Sequence, residues 1–137
     1  MTRSGAGGQA AGDPPLVTIV DDDESVRKST CRLIRSFGYR AEAFGSGTEF
    51  LSSPSARQTA CLVLDVRMPG MDGLEVQRLV TEAGLDIPIV FISGRASDDD
   101  ERRARSAGAV DFLRKPVDTA TLRQLLHEIV SQRRPRT

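Results

Sequence analysis

Three short segments constrain the fold most: Leu16–Val20 (LVTIV), Ala60–Leu64 (ACLVL) and Ile87–Ile92 (IPIVFI) are nearly unbroken apolar runs. A strand that alternates apolar with polar hides one face, whereas a run apolar on both faces must be covered from both sides. The covering elements are legible between these runs. Glu24 to Phe37 carries Val26, Thr30, Leu33, Ile34 and Phe37 on one helical stripe and stops at Gly38. A helix starting near Gly73 shows Val76, Leu79, Val80 and Ala83 at i, i+3, i+4 and i+7, closing at Gly84. The last helix, capped by Asp118, presents Leu122, Leu125, Leu126, Ile129 and Val130. Weaker pairs complete the pattern. Strand Arg40–Phe44 precedes a short helix from Ser46 to Ser52 that Pro54 ends. A polar helix from Ser97 to Ala107 ends at Gly108, ahead of a fifth strand, Val110–Leu113. Five strands alternating with five helices predict an α/β protein with a doubly wound parallel sheet.

The flanks differ in kind. Residues 1–15 hold four glycines and two prolines with almost nothing to bury, so a flexible tail is expected there. The folded domain is expected over 16–131, with 132–137 a second tail or the start of a linker. Nineteen basic residues balance nineteen acidic ones, which gives no support to nucleic-acid binding by this domain. No apolar run approaches the ~20 residues of a membrane span, and the first residues lack the apolar core of a signal peptide. A cytoplasmic protein is the resulting expectation. Cys31 and Cys61 sit among apolar neighbours and are expected as buried thiols rather than a disulfide. His127, the sole histidine, reads as an exposed residue of the last helix.

In open α/β sheets ligands bind outside the carboxyl ends of the strands. Strand one delivers Asp21 and Asp22 to that edge, strand three Asp65, strand four Ser93 and strand five Lys115. Asp65 alone would read as a turn or cap residue; its company argues otherwise. Clustered carboxylates resist ionising together without a cation. Oxygen-only ligands suit a hard divalent ion such as Mg²⁺, or Mn²⁺. With such an ion bound, an aspartate carboxylate can act as nucleophile toward a phosphoryl group, while Lys115 offers a point charge and Ser93 a hydroxyl donor.

From about Leu16 to Val130 the chain resembles a response-regulator receiver domain of two-component signalling. The likeness rests on V-D-D at 20–22, L-D-x-R-M-P-G-M-D-G at 64–73, I-S-G at 92–94, and K-P at 115–116 after A-G-A-V-D-F. It implies a flavodoxin-like (βα)5 fold with strand order 2-1-3-4-5. It implies phosphorylation of Asp65 by a sensor histidine kinase, and a Mg²⁺ held by Asp22, Asp65 and the backbone carbonyl of Arg67, with Asp21 acting through water. Ser93, Gly94 and Lys115 would meet the phosphoryl group, and Phe112 would couple its rotamer to the site. The output surface would be helix four, strand five and helix five, also the face for a homodimer on phosphorylation. The wording of the motifs is similar to the subgroup that precedes LuxR-type helix-turn-helix outputs, which implies control of transcription. Only SQRRPRT follows Val130, so such an output segment is expected outside these residues.

Four further readings follow from the residues. An aspartate-nucleophile phosphatase is the enzyme alternative, but those resemble D-x-D, and Arg67 stands where the second, proton-donating Asp belongs. Gly45-Ser46-Gly47 mimics a dinucleotide fingerprint, yet Phe50 replaces its third glycine. Helix four has little apolar content beyond Ala104 and Ala107, so it is expected to be weakly anchored and mobile. Either isomer of the Lys115–Pro116 bond is compatible with the sequence.

Overall fold

The computed structural model describes residues 13–132; most of the two expected tails, 1–15 and 132–137, lies outside that range. Its elements are β1 (Leu16–Val20), α1 (Glu24–Ser36), β2 (Arg40–Phe44), α2 (Gly47–Leu51), a 3-10 helix (Pro54–Gln58), β3 (Thr59–Leu64), α3 (Gly73–Glu82), β4 (Ile89–Ser93), α4 (Asp98–Ser106), β5 (Asp111–Arg114) and α5 (Thr119–Gln132). The five strands form one sheet in the order β2-β1-β3-β4-β5, and every neighbouring pair is parallel. The predicted flavodoxin-like architecture is the one observed.

The double cover is visible in how side chains alternate. Val17 and Ile19 of β1, Cys61 and Val63 of β3, and Val90 and Ile92 of β4 face Cys31 and Ile34 of α1 and Leu122, Leu126 and Ile129 of α5. The intervening residues Val20, Leu62, Leu64 and Phe91 pack on the other side with Phe50 of α2, Val76 and Val80 of α3 and Ala104 of α4. Each large side chain fully removed from water contributes roughly 1.5–3 kcal/mol. Cys31 and Cys61 are buried in the first of these layers without forming a disulfide. His127 is exposed on α5. Among the described residues no helix is long and apolar enough to cross a membrane.

Some boundaries move for identifiable reasons. β4 begins at Ile89 rather than Ile87, because Pro88 has no N–H to give the ladder, although its carbonyl still accepts from Leu62 N at 2.9 Å. β5 begins at Asp111 and leaves Val110 outside, 45% exposed. α1 ends at Ser36 with Phe37 as its cap, and Gly38 then adopts φ +102°, which a side chain would resist. The loop after the α2 helix holds a 3-10 turn that the sequence reading did not anticipate, started by Pro54. The Lys115–Pro116 peptide is cis.

Helix α4 is anchored differently from what its composition suggests. Ala104 is buried but Ala107 is exposed, so apolar contact is as slight as expected. Polar contacts take its place. Ser97 and Asp100 form a reciprocal capping box, at 3.0 Å from Asp100 N to Ser97 Oγ and 2.9 Å from Ser97 N to Asp100 Oδ2. The buried Gln77 of α3 donates to the carbonyl of Ala104 at 3.0 Å. Arg114 of β5 reaches the carbonyl of Ala96 at 2.7 Å and the carboxylate of Glu101 at 3.1 Å.

Candidate functional site

Register alone brings the acidic residues together. Val20 of β1 is paired with Leu64 of β3, so the residues that follow them, Asp21 and Asp65, emerge side by side; Asp65 N donates to the Val20 carbonyl at 3.1 Å. Ser93 closes β4 opposite Arg114, and Lys115 N donates to the Ser93 carbonyl at 3.0 Å. The chain leaves β1 toward β2 on one side, and β3 lies on the other, so the carboxylates sit at the sheet's switch point.

Asp21, Asp22 and Asp65 each present a carboxylate oxygen within 4.8 Å of the others. Asp21 is buried, and Asp22 is exposed. Asp21 is held by the N–H of Asp23 at 2.9 Å, while its own carbonyl accepts from Arg27 Nη1 at 2.8 Å. Asp23 itself caps α1 by accepting from Val26 N at 3.1 Å. Asp65 is 8% exposed. Burial, and then the charge of Asp21, push its carboxyl above the usual carboxylate range; Lys115, the Ser93 hydroxyl and the backbone N–H of Arg67 oppose that shift. Three carboxylates this close repel one another, and a bound cation would relieve that repulsion. The three oxygen donors fit a hard divalent ion.

Lys115 Nζ lies 3.6 Å from Asp21 Oδ2, with its side chain one-third exposed. Ser93 is buried, and its hydroxyl faces Asp65. Gly94 is exposed, and a Cβ there would rest 3.5 Å from Lys115 Cδ, an ordinary contact. Phe112 is not among the carboxylates. Its ring is buried in the core, stacked on Phe91 at 5.6 Å between centroids, with the Arg114 guanidinium 5.5 Å from its ring centre.

The loop after Asp65 is built by glycine and a cap. Gly70 adopts φ +76°. Gly73 starts α3 against the backbone of Asp65: a Cβ would stand 2.2 Å from the Asp65 carbonyl oxygen. Asp72 caps the helix through Glu75 N at 2.9 Å. Gly47 has a packing role instead of a nucleotide-binding one, since a Cβ there would meet Val76 Cγ2 at 2.3 Å.

Sequence reasoning missed one residue at this edge. The Arg67 side chain forms an ion pair with Asp100, the buried carboxylate in the first turn of α4. The S-x-x-D spacing of Ser97 and Asp100 was the available signal for the cap; the partner across the fold had none.

Comparison with known proteins bears on the family and the fold. The family model described as response regulator receiver domain matches residues 17–127. The chain is 46% identical over 101 residues to response regulator protein TmoT of Ectopseudomonas mendocina, covering 74% of this chain and 46% of that protein. It is 45% identical over 114 residues to nodulation protein W of Bradyrhizobium diazoefficiens, covering 83% and 50%. The chain thus spans about half the length of these curated relatives. Among solved structures, FixJ-N matches with a TM-score of 0.79 at 31% identity, over 91% of this chain and 99% of that one.

Proposed function

From the premise that the chain belongs to the response regulator receiver family of two-component systems, we propose that Asp65 is its phosphoacceptor and that a sensor histidine kinase is the donor. The observation that carries this reading is the convergence of Asp21, Asp22 and Asp65 with Lys115 and Ser93 at one sheet edge. A carboxylate oxygen of Asp65 attacks the phosphorus of a phosphohistidine; a P–O bond forms, the P–N bond breaks, and the imidazole leaves. Mg²⁺, or Mn²⁺, held by Asp21, Asp22, Asp65 and the Arg67 carbonyl, would supply charge neutralisation on the phosphoryl oxygens. Lys115 leaves Asp21 to pair with the new anion, and the Ser93 hydroxyl donates to it, beside Gly94. Phe112 then repacks against Phe91.

The response runs through α4, β5 and α5 and reaches transcription through a further segment; one relative is a transcriptional regulatory protein of Thauera aromatica. A homodimer on that face in the phosphorylated form would be largely polar. Val110 is the only large hydrophobic exposed there among the described residues, beside Asp98, Glu101, Arg105, Asp111 and Arg114. We place the domain over residues 16–131, in the cytoplasm.

Acetyl phosphate with Mg²⁺ tests the assignment. One phosphoryl group per chain is expected on the wild type and none on Asp65→Asn. Equal labelling of both would refute it. Steady hydrolysis of an aryl phosphate would instead favour the phosphatase alternative, against which Arg67 stands two residues past Asp65, paired with Asp100.

A further inference from the structure

The contact that locks the entrance of α4 begins in the acceptor loop. Arg67 lies two residues past Asp65, and its backbone N–H already bonds that carboxylate. Its guanidinium, 44% exposed as a side chain, turns instead to Asp100, whose side chain is 5% exposed. Asp100 is the residue that closes the capping box with Ser97. The same Arg67 borders the cleft beside Asp22 and Arg95. One cation therefore stands between a buried carboxylate that organises α4 and the cleft bordered by Asp22, whose carboxylate lies within 4.8 Å of that of Asp65.

We propose that Arg67 is a positioning arm with two alternative partners: Asp100 in the unphosphorylated chain, and the phosphoryl oxygens on Asp65 in the phosphorylated one. This rests on the reading of Asp65 as acceptor. A guanidinium bonds phosphate oxygens as readily as a carboxylate, in a fork of parallel N–H donors, and a phosphoryl group carries more negative charge than a carboxylate. Once Arg67 has changed partner, Asp100 remains buried without its ion pair. A buried charge in that state is strongly unfavourable, and the first turn of α4 relieves it by moving toward water. The exchange couples two sites, so it is reciprocal: loosening Arg67 from Asp100 must strengthen its hold on the phosphoryl group.

Beryllofluoride with Mg²⁺, a phosphoryl stand-in, makes this measurable on the 137-residue chain through its half-saturating concentration in amide NMR spectra. Asp100→Asn keeps an oxygen to accept from Ser97 N but no charge to hold Arg67, and it should bind beryllofluoride about fivefold or more tightly, a typical coupling. Arg67→Met should bind more weakly. The double variant should match Arg67→Met, because Asp100 then has nothing to compete for, and Arg67→Lys should fall between wild type and Arg67→Met. In hydrogen exchange, α4 amides should lose protection when the wild type binds beryllofluoride. In Arg67→Met they should already have lost it without ligand. Weaker binding by Asp100→Asn, strictly additive effects in the double variant, or unchanged α4 exchange in both wild type and Arg67→Met would overturn the arm. If Asp100→Asn fails to fold, the exchange data on Arg67→Met and Arg67→Lys decide alone. No beryllofluoride binding by the wild type would sink the acceptor reading and the exchange together, whereas binding with additive effects would sink only the exchange.

Discussion

Replacing Gly73 with alanine perturbs Asp65 through its backbone. The added Cβ would stand 2.2 Å from the carbonyl oxygen of Asp65, 3.0 Å from its carbonyl carbon and 3.0 Å from Phe91 Cε1. A tolerable carbon–oxygen approach is about 3.3 Å, so strand end and helix start must part by roughly 1 Å. Two of the three obstacles are main-chain atoms, which no rotamer change removes, and the Gly73 N–H bond to the Val66 carbonyl, now 2.9 Å, would lengthen. Two effects oppose each other. Alanine gains at most about 1 kcal/mol over glycine inside a helix, and less at this first position. Overpacking costs about 1–3 kcal/mol, so the clash wins. A net loss of about 1–2 kcal/mol lowers the thermal midpoint by roughly 3–10 °C for a domain of this size. A reacting group displaced by about 1 Å loses on the order of 100-fold in rate, so labelling by acetyl phosphate should slow steeply. Gly47→Ala is the control: its obstacles are side-chain atoms, Val76 Cγ2 at 2.3 Å and Met71 Sδ at 3.0 Å, and not the backbone of Asp65. It should melt lower and label normally. A Gly73→Ala protein that melts at or above wild type and labels at its rate would refute the reasoning.

Three other outcomes follow from the charge distribution. Mg²⁺ at about 100 times its dissociation constant should stabilise the chain by about 2.7 kcal/mol, seen as a higher melting temperature. Asp22→Ala should lose most of that gain, and equal stabilisation of both proteins would place the ion elsewhere. Asp118 caps α5, and the N–H and hydroxyl of Thr121 hold its carboxyl below the usual carboxylate range. A depressed pKa in the fold means stability that is present above the ordinary carboxylate value and lost as pH falls through the folded one. Protection of the first α5 amides should therefore drop in acid, and in Asp118→Asn, which still caps, it should not. Raising salt from about 0.05 to 1 M shortens the Debye length severalfold, so α4 amides should lose protection before those of α5; uniform change across both helices would contradict the polar anchoring of α4.

What could be read from the sequence follows how far apart the interacting residues lie. β1, β3 and β4 were legible because a run apolar on both faces has few other homes, and the residues at the end of each such run form the candidate site. Asp21, Asp22, Asp65, Ser93 and Lys115 needed only the topology to converge. The start of β4 was misjudged because an apolar count ignores the missing donor of Pro88. Phe112 was legible as a position, but the direction of its ring depends on Phe91 and Arg114, which meet it only in the folded chain. Asp100 was invisible for a related reason: carboxylates are rarely buried without a partner, and its partner Arg67 lies in a different element. The expectation of a weakly held α4 counted only carbon atoms.

That distinction bears on how a phosphoryl group could move one helix and leave others in place. A switch needs an energy difference between two states. α5 is held by Leu122, Leu126 and Ile129, contacts without direction or charge that a new anion on Asp65 does not alter. α4 buries one small apolar side chain, Ala104, whose carbonyl accepts from Gln77, and its ion pairs are Asp100 with Arg67, Arg114 with Asp98 and Glu101, and Arg105 with Glu101 and Asp111. Exposed pairs of this kind contribute about 0–1 kcal/mol each, which leaves the buried Asp100 as the contact whose loss matters. Its partner is rooted beside the acceptor. Under the proposed function, a charge change at Asp65 would thus act on α4 through its most buried ion pair, and the helix with the least apolar cover would be the one the site repositions.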